Sequence, residues 1–198
     1  SGRAYLDLQK LARATGRPTV ELHQLYALEC LVERISRSTH ASKLVLKGGL
    51  LLAAFSARRP TQDIDLAARG LNADTTTLLD LIREIAAVQI DDGVDFVTAE
   101  ATAQIIREEA IYNAVRVSMP ARLSSAKLVI QVDVNVGDPI APDASPLDLP
   151  RLLGGSFQTL GYPLTMVLAE KLVTALERGA TNSRWRDFVD IAMLARQH

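Results

Sequence analysis

The sequence predicts a mixed α/β (α+β) fold, a central mixed sheet flanked by helices, with a small helical lobe at the C-terminal end. Three observations predict it. Apolar residues recur at helical spacing in some segments and alternate with polar residues in others. The two kinds of segment are interleaved along most of the chain. A proline-rich break after residue 137 then separates the last strand pattern from two closing helices.

Residues 20–38 carry Leu22, Leu25, Tyr26, Leu28, Leu31, Val32 and Ile35 on one helical stripe, with Pro18-Thr19 as its start. Residues 43–46 form a short apolar run ending in Gly48-Gly49, which reads as a strand and a turn. Residues 50–55 resume as a helix, halted near Arg59-Pro60. Asp63-Ile64-Asp65-Leu66 alternates polar and apolar, the pattern of a strand with one wet face. Asn72-Ala73-Asp74 is placed to cap a helix that runs to about residue 88, with Leu78, Leu79, Ile82 and Ile85 inward. Residues 94–99 and 115–119 read as strands, and the segment around Ile105-Ile106 has no clear assignment. Residues 128–136 give the clearest strand, with Val132, Val134 and Val136 on one side and Gln131, Asp133 and Asn135 on the other.

Pro139, Pro142, Pro146 and Pro150 then read as a linker or wrapping loop. Helices are expected over 163–178 and 185–196, with Gly179 stopping the first and Asn182 or Ser183 capping the second. The expected division is a lobe of residues 1–145 and a helical lobe of residues 146–198.

Composition narrows the function classes. Lys and Arg total 22 against 23 Asp and Glu, so a net charge of −1 argues against wholesale coating of nucleic acid and leaves local binding open. Arg58, Arg59 and Arg69 flank the first acidic motif, and Arg178, Arg184, Arg186 and Arg196 gather near the end. Cys30 is the single cysteine, which excludes an intrachain disulfide and a thiol zinc site. His23, His40 and His198 lack metal-ligand spacing. The apolar run 44–55 is interrupted by Lys47 and is too short for a bilayer. With no basic-then-apolar leader pattern, the expected location is the cytoplasm.

The chemistry rests on acids. At i and i+2 of a strand, Asp63 and Asp65 project from one face with side-chain origins about 7 Å apart. Asp133 stands on the polar face of its own strand. If the two strands are neighbours, three carboxylates converge, and two such charges about 4 Å apart repel by roughly 4 kcal/mol at an effective dielectric near 20. A proton or a cation must compensate, and Mg²⁺ or Mn²⁺ suits an all-oxygen donor set. Solvated aspartates on an exposed strand face are the plain alternative. Gly48-Gly49, between strand and helix, lets backbone amides approach an anion, with Lys47 beside it as a phosphate contact; an ordinary tight turn is the alternative there. Lys171, in an apolar helix beside Glu170, needs a partner or an anionic ligand. Asp187 and Asp190 share a helix face, Asp190 as a capping or pairing residue. Arg184 and Arg186 are open to phosphate or to surface pairing. Trp185 and Tyr162, beside helical apolar stripes, are expected in the core. Thr61 precedes Asp63 by two residues, where a phosphate would add about −1.5 to −2 charge and repel nucleotide.

The stretch LVLKGGLLLAAFSARRPTQDIDL resembles the first motif of the DNA-polymerase-β-like nucleotidyltransferases, and in particular the AbiEii toxin family, which includes the MenT-type toxins. IQVDVNVGDPI resembles that family's second motif, which carries the third acid, here Asp133. YPLTMVLAEKLVTALERGATNSRWRDFVDIAML resembles its C-terminal pattern, with Lys171 and Asp187 at the functional positions. The resemblance covers residues 44–194, in family order. Leu50 stands where many relatives carry Ser or Thr, which removes one side-chain phosphate contact.

The resemblance implies a nucleotidyltransferase fold and the catalytic set Asp63, Asp65, Asp133, Lys171 and Asp187. It implies Mg²⁺ held by the three acids, and an NTP contacted by Lys47, Gly48, Gly49, Arg59, Lys171 and Arg184. For the MenT-type toxins it further implies transfer of NMP, pyrimidine by preference, to the 3′ end of tRNA, with a cognate antitoxin as partner. Transfer to a small-molecule or protein hydroxyl is the alternative.

Overall fold

The structure is a computed structural model, and it describes residues 2–72, 74–107, 113–137, 139–178 and 185–197. Among these, six helices surround one eight-stranded mixed sheet. Helices α1 (Gly2–Thr15) and α2 (Thr19–Arg37) lead into strand β1 (Leu44–Lys47) and the short helix α3 (Gly48–Leu51), which continues as a 3₁₀ turn over Leu52–Phe55. Strand β2 (Asp63–Ala68), helix α4 (Thr75–Ala86) and strands β3 (Val94–Phe96), β4 (Thr102–Arg107), β5 (Asn113–Leu123) and β6 (Ala126–Val136) follow. The chain closes with strands β7 (Ser145–Pro150) and β8 (Ser156–Gly161) and helices α5 (Leu164–Arg178) and α6 (Trp185–Gln197).

The strand order is β3-β5-β6-β2-β1-β8-β7, with β4 pairing β5 as well. Strand β2 runs parallel to β6 and antiparallel to β1, while β1 and β8 are parallel. The β5–β6 hairpin turns on Ser124-Ser125, with Ser124 in the left-handed region at φ 54°. Leu123 then faces Ala126, and each residue after the turn pairs with the one equally far before it. That register sets Arg116 opposite Asp133.

Helix α2 is the centre of the core. Every residue from Leu22 to Ile35 is buried, the polar ones included. Its apolar stripe packs on the sheet, and the charged residues off that stripe have partners of their own. Glu29 accepts from Arg58 and, at 2.9 Å, from the Leu152 amide. Glu33 accepts from Arg37 at 2.5 Å and from Arg151 at 2.6 Å, and Arg34 pairs with Asp92. Gln24 donates to the Gln62 carbonyl at 3.2 Å and the Val129 carbonyl at 3.0 Å, clipping α2 to the chain beside β2 and β6.

Several sequence expectations are corrected here. The expected linker contains strand β7, a sheet edge despite Pro146 and Pro150, because an edge strand tolerates residues that cannot donate to a ladder. The strand expected over 94–99 stops at Phe96 and passes into a 3₁₀ turn over Thr98–Glu100. Ile105 and Ile106 lie in β4. Asp74 caps α4, accepting from the Thr77 amide at 2.7 Å. The neighbouring Ala73, the stop at Gly179 and the caps Asn182 and Ser183 fall outside the described residues. No described helix is long and apolar enough to cross a membrane.

Candidate active site

Strand β2 carries two opposed demands. Ile64 and Leu66 are 0% and 1% exposed and enter the core, so Asp63 and Asp65 must project from the other face. Parallel pairing with β6 sets Asp65 beside Asp133 and Asp63 beside Gln131. Val132 and Val134 hold β6 in the core in the same way, leaving Asp133 on the acidic face. One oxygen from each of Asp63, Asp65 and Asp133 lies within 4.8 Å of the others. Those oxygens fit a hard divalent cation such as Mg²⁺ or Mn²⁺.

The turn before β2 is shaped around these acids. Gly48 has φ +68°, and a Cβ there would lie 1.8 Å from Asp65 Oδ2. The position therefore needs glycine twice over, for its backbone and for its emptiness. A Cβ on Gly49 would meet Thr61 Oγ1 at 2.9 Å and Arg59 Nη1 at 3.2 Å. Thr61 is buried, and its hydroxyl donates to Asp63 Oδ1 at 2.9 Å. The glycine pair thus makes room for the Asp65 carboxylate on one side and for Thr61 and Arg59 on the other.

Sequence reading missed Arg116. Its guanidinium forks onto Asp133, Nε to Oδ1 at 2.7 Å and Nη2 to Oδ2 at 2.6 Å. The hydrogen bonds to Asp133, with the charges of Asp133, Asp63 and Asp65, hold its proton more firmly than usual against the opposing effect of burial. The alternation Val115-Arg116-Val117 marked a polar position on a strand, but only the hairpin register shows what it faces.

The C-terminal helices bring the remaining candidates together. Lys171 on α5 donates to Asp187 at 3.1 Å and to Asp190 at 2.6 Å, both on α6. Asp190 is fully buried and also accepts from Arg59 Nε at 3.0 Å. Arg59 lies over Gly49, so this buried acid ties the glycine turn to both helices. Lys47 faces Asp65 across the β1–β2 ladder and reaches Glu170 on α5 at 3.4 Å.

Other positions fall elsewhere. Arg58 pairs with Glu29 and Arg69 with exposed Asp143 at 3.9 Å, so neither joins the acids. Arg186 is exposed on α6, and Leu50 is buried. Tyr162 is in the core as expected, but Trp185 is 64% exposed, a correction to its expected burial. It opens α6 on the face away from Asp187 and Asp190, the side chains that the helix turns inward. Arg184 and His198 fall outside the described residues.

Known structures share this fold. The structure resembles those of two Helicobacter pylori proteins, JHP933 and a chain described as a nucleotidyltransferase. The first gives a TM-score of 0.57 at 14% identity, covering 98% of this chain and 67% of the other. The second gives 0.56 at 15% identity, covering 98% and 69%. At such identities the likeness establishes the fold. No curated protein matches the sequence. The family described as nucleotidyl transferase AbiEii toxin, Type IV toxin–antitoxin system, matches residues 29–198. That match takes in the glycine turn, all three acids and both C-terminal helices, and the chain belongs to the AbiEii nucleotidyltransferase toxin family.

Proposed function

We propose that the protein transfers NMP, pyrimidine by preference, from an NTP to the 3′ end of tRNA, so blocking aminoacylation and translation. The observation that carries the catalytic part is the convergence of Asp63, Asp65 and Asp133 within 4.8 Å on one sheet face. The acceptor and the nucleotide preference rest on the likeness of the motifs to the MenT-type toxins.

In this reading the three carboxylates hold Mg²⁺ or Mn²⁺, in a two-metal arrangement that would supply charge neutralisation to the triphosphate and acidify the acceptor hydroxyl. The chain's own groups do the rest. Amides of Gly48 and Gly49, with Lys47 and Arg59, cradle phosphate oxygens. Lys171, oriented by Asp187 and Asp190, meets charge that develops on the departing pyrophosphate. Arg184 adds a phosphate contact. The acceptor oxygen bonds to the α-phosphorus as the bond to the β-phosphate oxygen breaks; pyrophosphate leaves and the hydroxyl proton passes to solvent.

The proposed division of labour is a catalytic lobe of residues 1–145 completed by residues 146–198, whose helices bring Lys171 and Asp187. The proposed location is the cytoplasm, with a cognate antitoxin as partner, as a toxin–antitoxin family implies. Phosphorylation of Thr61 is proposed as a means of silencing. A phosphate there replaces the hydroxyl that donates to Asp63 with a dianion beside it.

The test is incubation with total RNA, Mg²⁺ and each labelled NTP in turn. Label is expected in tRNA, strongest with CTP or UTP, and lost in Asp65→Asn. Label in protein bands or in small metabolites instead of RNA would reject the tRNA reading while leaving the transferase intact.

A further inference from the structure

We infer that Arg116 is a positioning residue that acts as an internal counter-ion. It holds Asp133 in the nucleotide-free protein and keeps the affinity of the acid cluster for divalent cations low until a triphosphate arrives. The inference rests on the reading of Asp63, Asp65 and Asp133 as a metal site.

Three features of the fold carry it. The guanidinium engages both oxygens of Asp133, at 2.7 and 2.6 Å, so the fork already occupies the side of the carboxylate that a chelated cation would use. The two residues are cross-strand partners in a hairpin with a two-residue turn, so the arginine cannot withdraw far from the acid. Finally, the Asp133 side chain is 3% exposed against 30% for that of Arg116. The acid is fixed, and the base has open space into which one arm of the fork can swing.

A guanidinium keeps its charge at any working pH. A cation binding Asp133 must therefore share a carboxylate with a permanent positive neighbour. Arriving triphosphate oxygens offset that neighbour and supply further ligands. Metal and nucleotide binding become mutually supportive, as linkage requires. The empty cluster meanwhile stays folded, because its most buried acid has a charged partner.

The test is a Mn²⁺ titration followed by electron paramagnetic resonance, without nucleotide and with a non-hydrolysable NTP analogue. Without nucleotide, Arg116→Gln is expected to bind Mn²⁺ about tenfold more tightly than the parent, the scale on which a charge within 4–6 Å acts on a carboxylate. The analogue should shrink that difference. In an Asp133→Asn background the effect of Arg116→Gln should be much smaller, because only its charge on Asp63 and Asp65 is left to remove. Arg116→Lys keeps the charge and loses the fork, so a smaller gain, about two- to threefold, is expected; this variant serves if the glutamine variant does not fold. Unchanged or weakened nucleotide-free affinity in the folded variants would overturn the inference, and so would an effect undiminished in Asp133→Asn. Mn²⁺ affinity left intact by Asp63→Asn would instead overturn the metal reading of the cluster itself.

Discussion

Helix α2 and the acidic face of β2 and β6 both bury charge, and they do so in opposite ways. Around α2, charges alternate in sign: Glu29 meets Arg58, Glu33 meets Arg37 and Arg151, and Arg34 meets Asp92. On the other face of β2 and β6, like charges are gathered instead, three carboxylates with oxygens within 4.8 Å of one another and one arginine, Arg116, paired with Asp133. Alternation is what a fold does to satisfy buried ions. Gathering raises the energy of the protein alone and is useful only toward a positively charged ligand. Burial alone therefore does not mark a site; the sign pattern does.

The largest expected effect separates the two regions outright. Asp63→Asn or Asp65→Asn should lower nucleotide transfer by about 10³-fold or more, in line with losing a principal electrostatic contributor to catalysis. Melting temperature should stay level or rise, since like-charge repulsion is relieved. A clear loss of stability in either variant would mean that these acids are structural, as those on α2 are. Glu29→Ala should do the reverse. It leaves Arg58 without its buried partner and is expected to cost about 3–5 kcal/mol in denaturant unfolding, with transfer per folded molecule retained. Next comes Gly48→Ala, which asks a side chain to adopt φ +68° and to occupy the space of the Asp65 carboxylate. The backbone cost alone is about 1–3 kcal/mol. Displacement of Asp65 should lower transfer as well, a combination that neither Asp65→Asn nor Glu29→Ala produces.

The gathered acids were legible in the sequence because alternation on a strand fixes the face of each side chain without tertiary knowledge. Asp65 and Asp133 each sit between apolar residues, Asp63 stands two before Asp65 on the same face, and the parallel β2–β6 register supplied the one missing fact. Arg116 obeys the same alternation yet was not read, because its meaning lies in its partner. Ser124-Ser125 lacks the glycine or asparagine that announces a two-residue hairpin, so the register that pairs Arg116 with Asp133 was hidden. The β7–β8 hairpin was hidden by prolines that a sheet edge accepts. Lys171 pointed to a partner by burial alone; that one acid, Asp190, serves both it and Arg59 depends on how α5 and α6 pack on the glycine turn. Trp185 misled because an apolar stripe says that a helix packs, and not which of its large residues face inward.

The smallest expected effect concerns a group on α2 that escapes the pairing rule by staying neutral. His23 is 4% exposed and stacks on Tyr5 of α1, ring centroids 4.9 Å apart. Its Nε2 has no hydrogen-bond partner among the described residues. Burial lowers its pKa below the ordinary 6.5, so the unfolded chain takes up the proton first as pH falls. The stability contributed by the neutral ring is then fully present above pH 6.5 and is lost as pH falls through the lowered folded-state value. His23→Phe keeps the stacking surface and removes the titration. Between pH 7 and pH 5 the melting temperature of the parent should drop by a few degrees more than that of the variant. Parallel pH profiles would place the acid sensitivity elsewhere, in the paired carboxylates around α2.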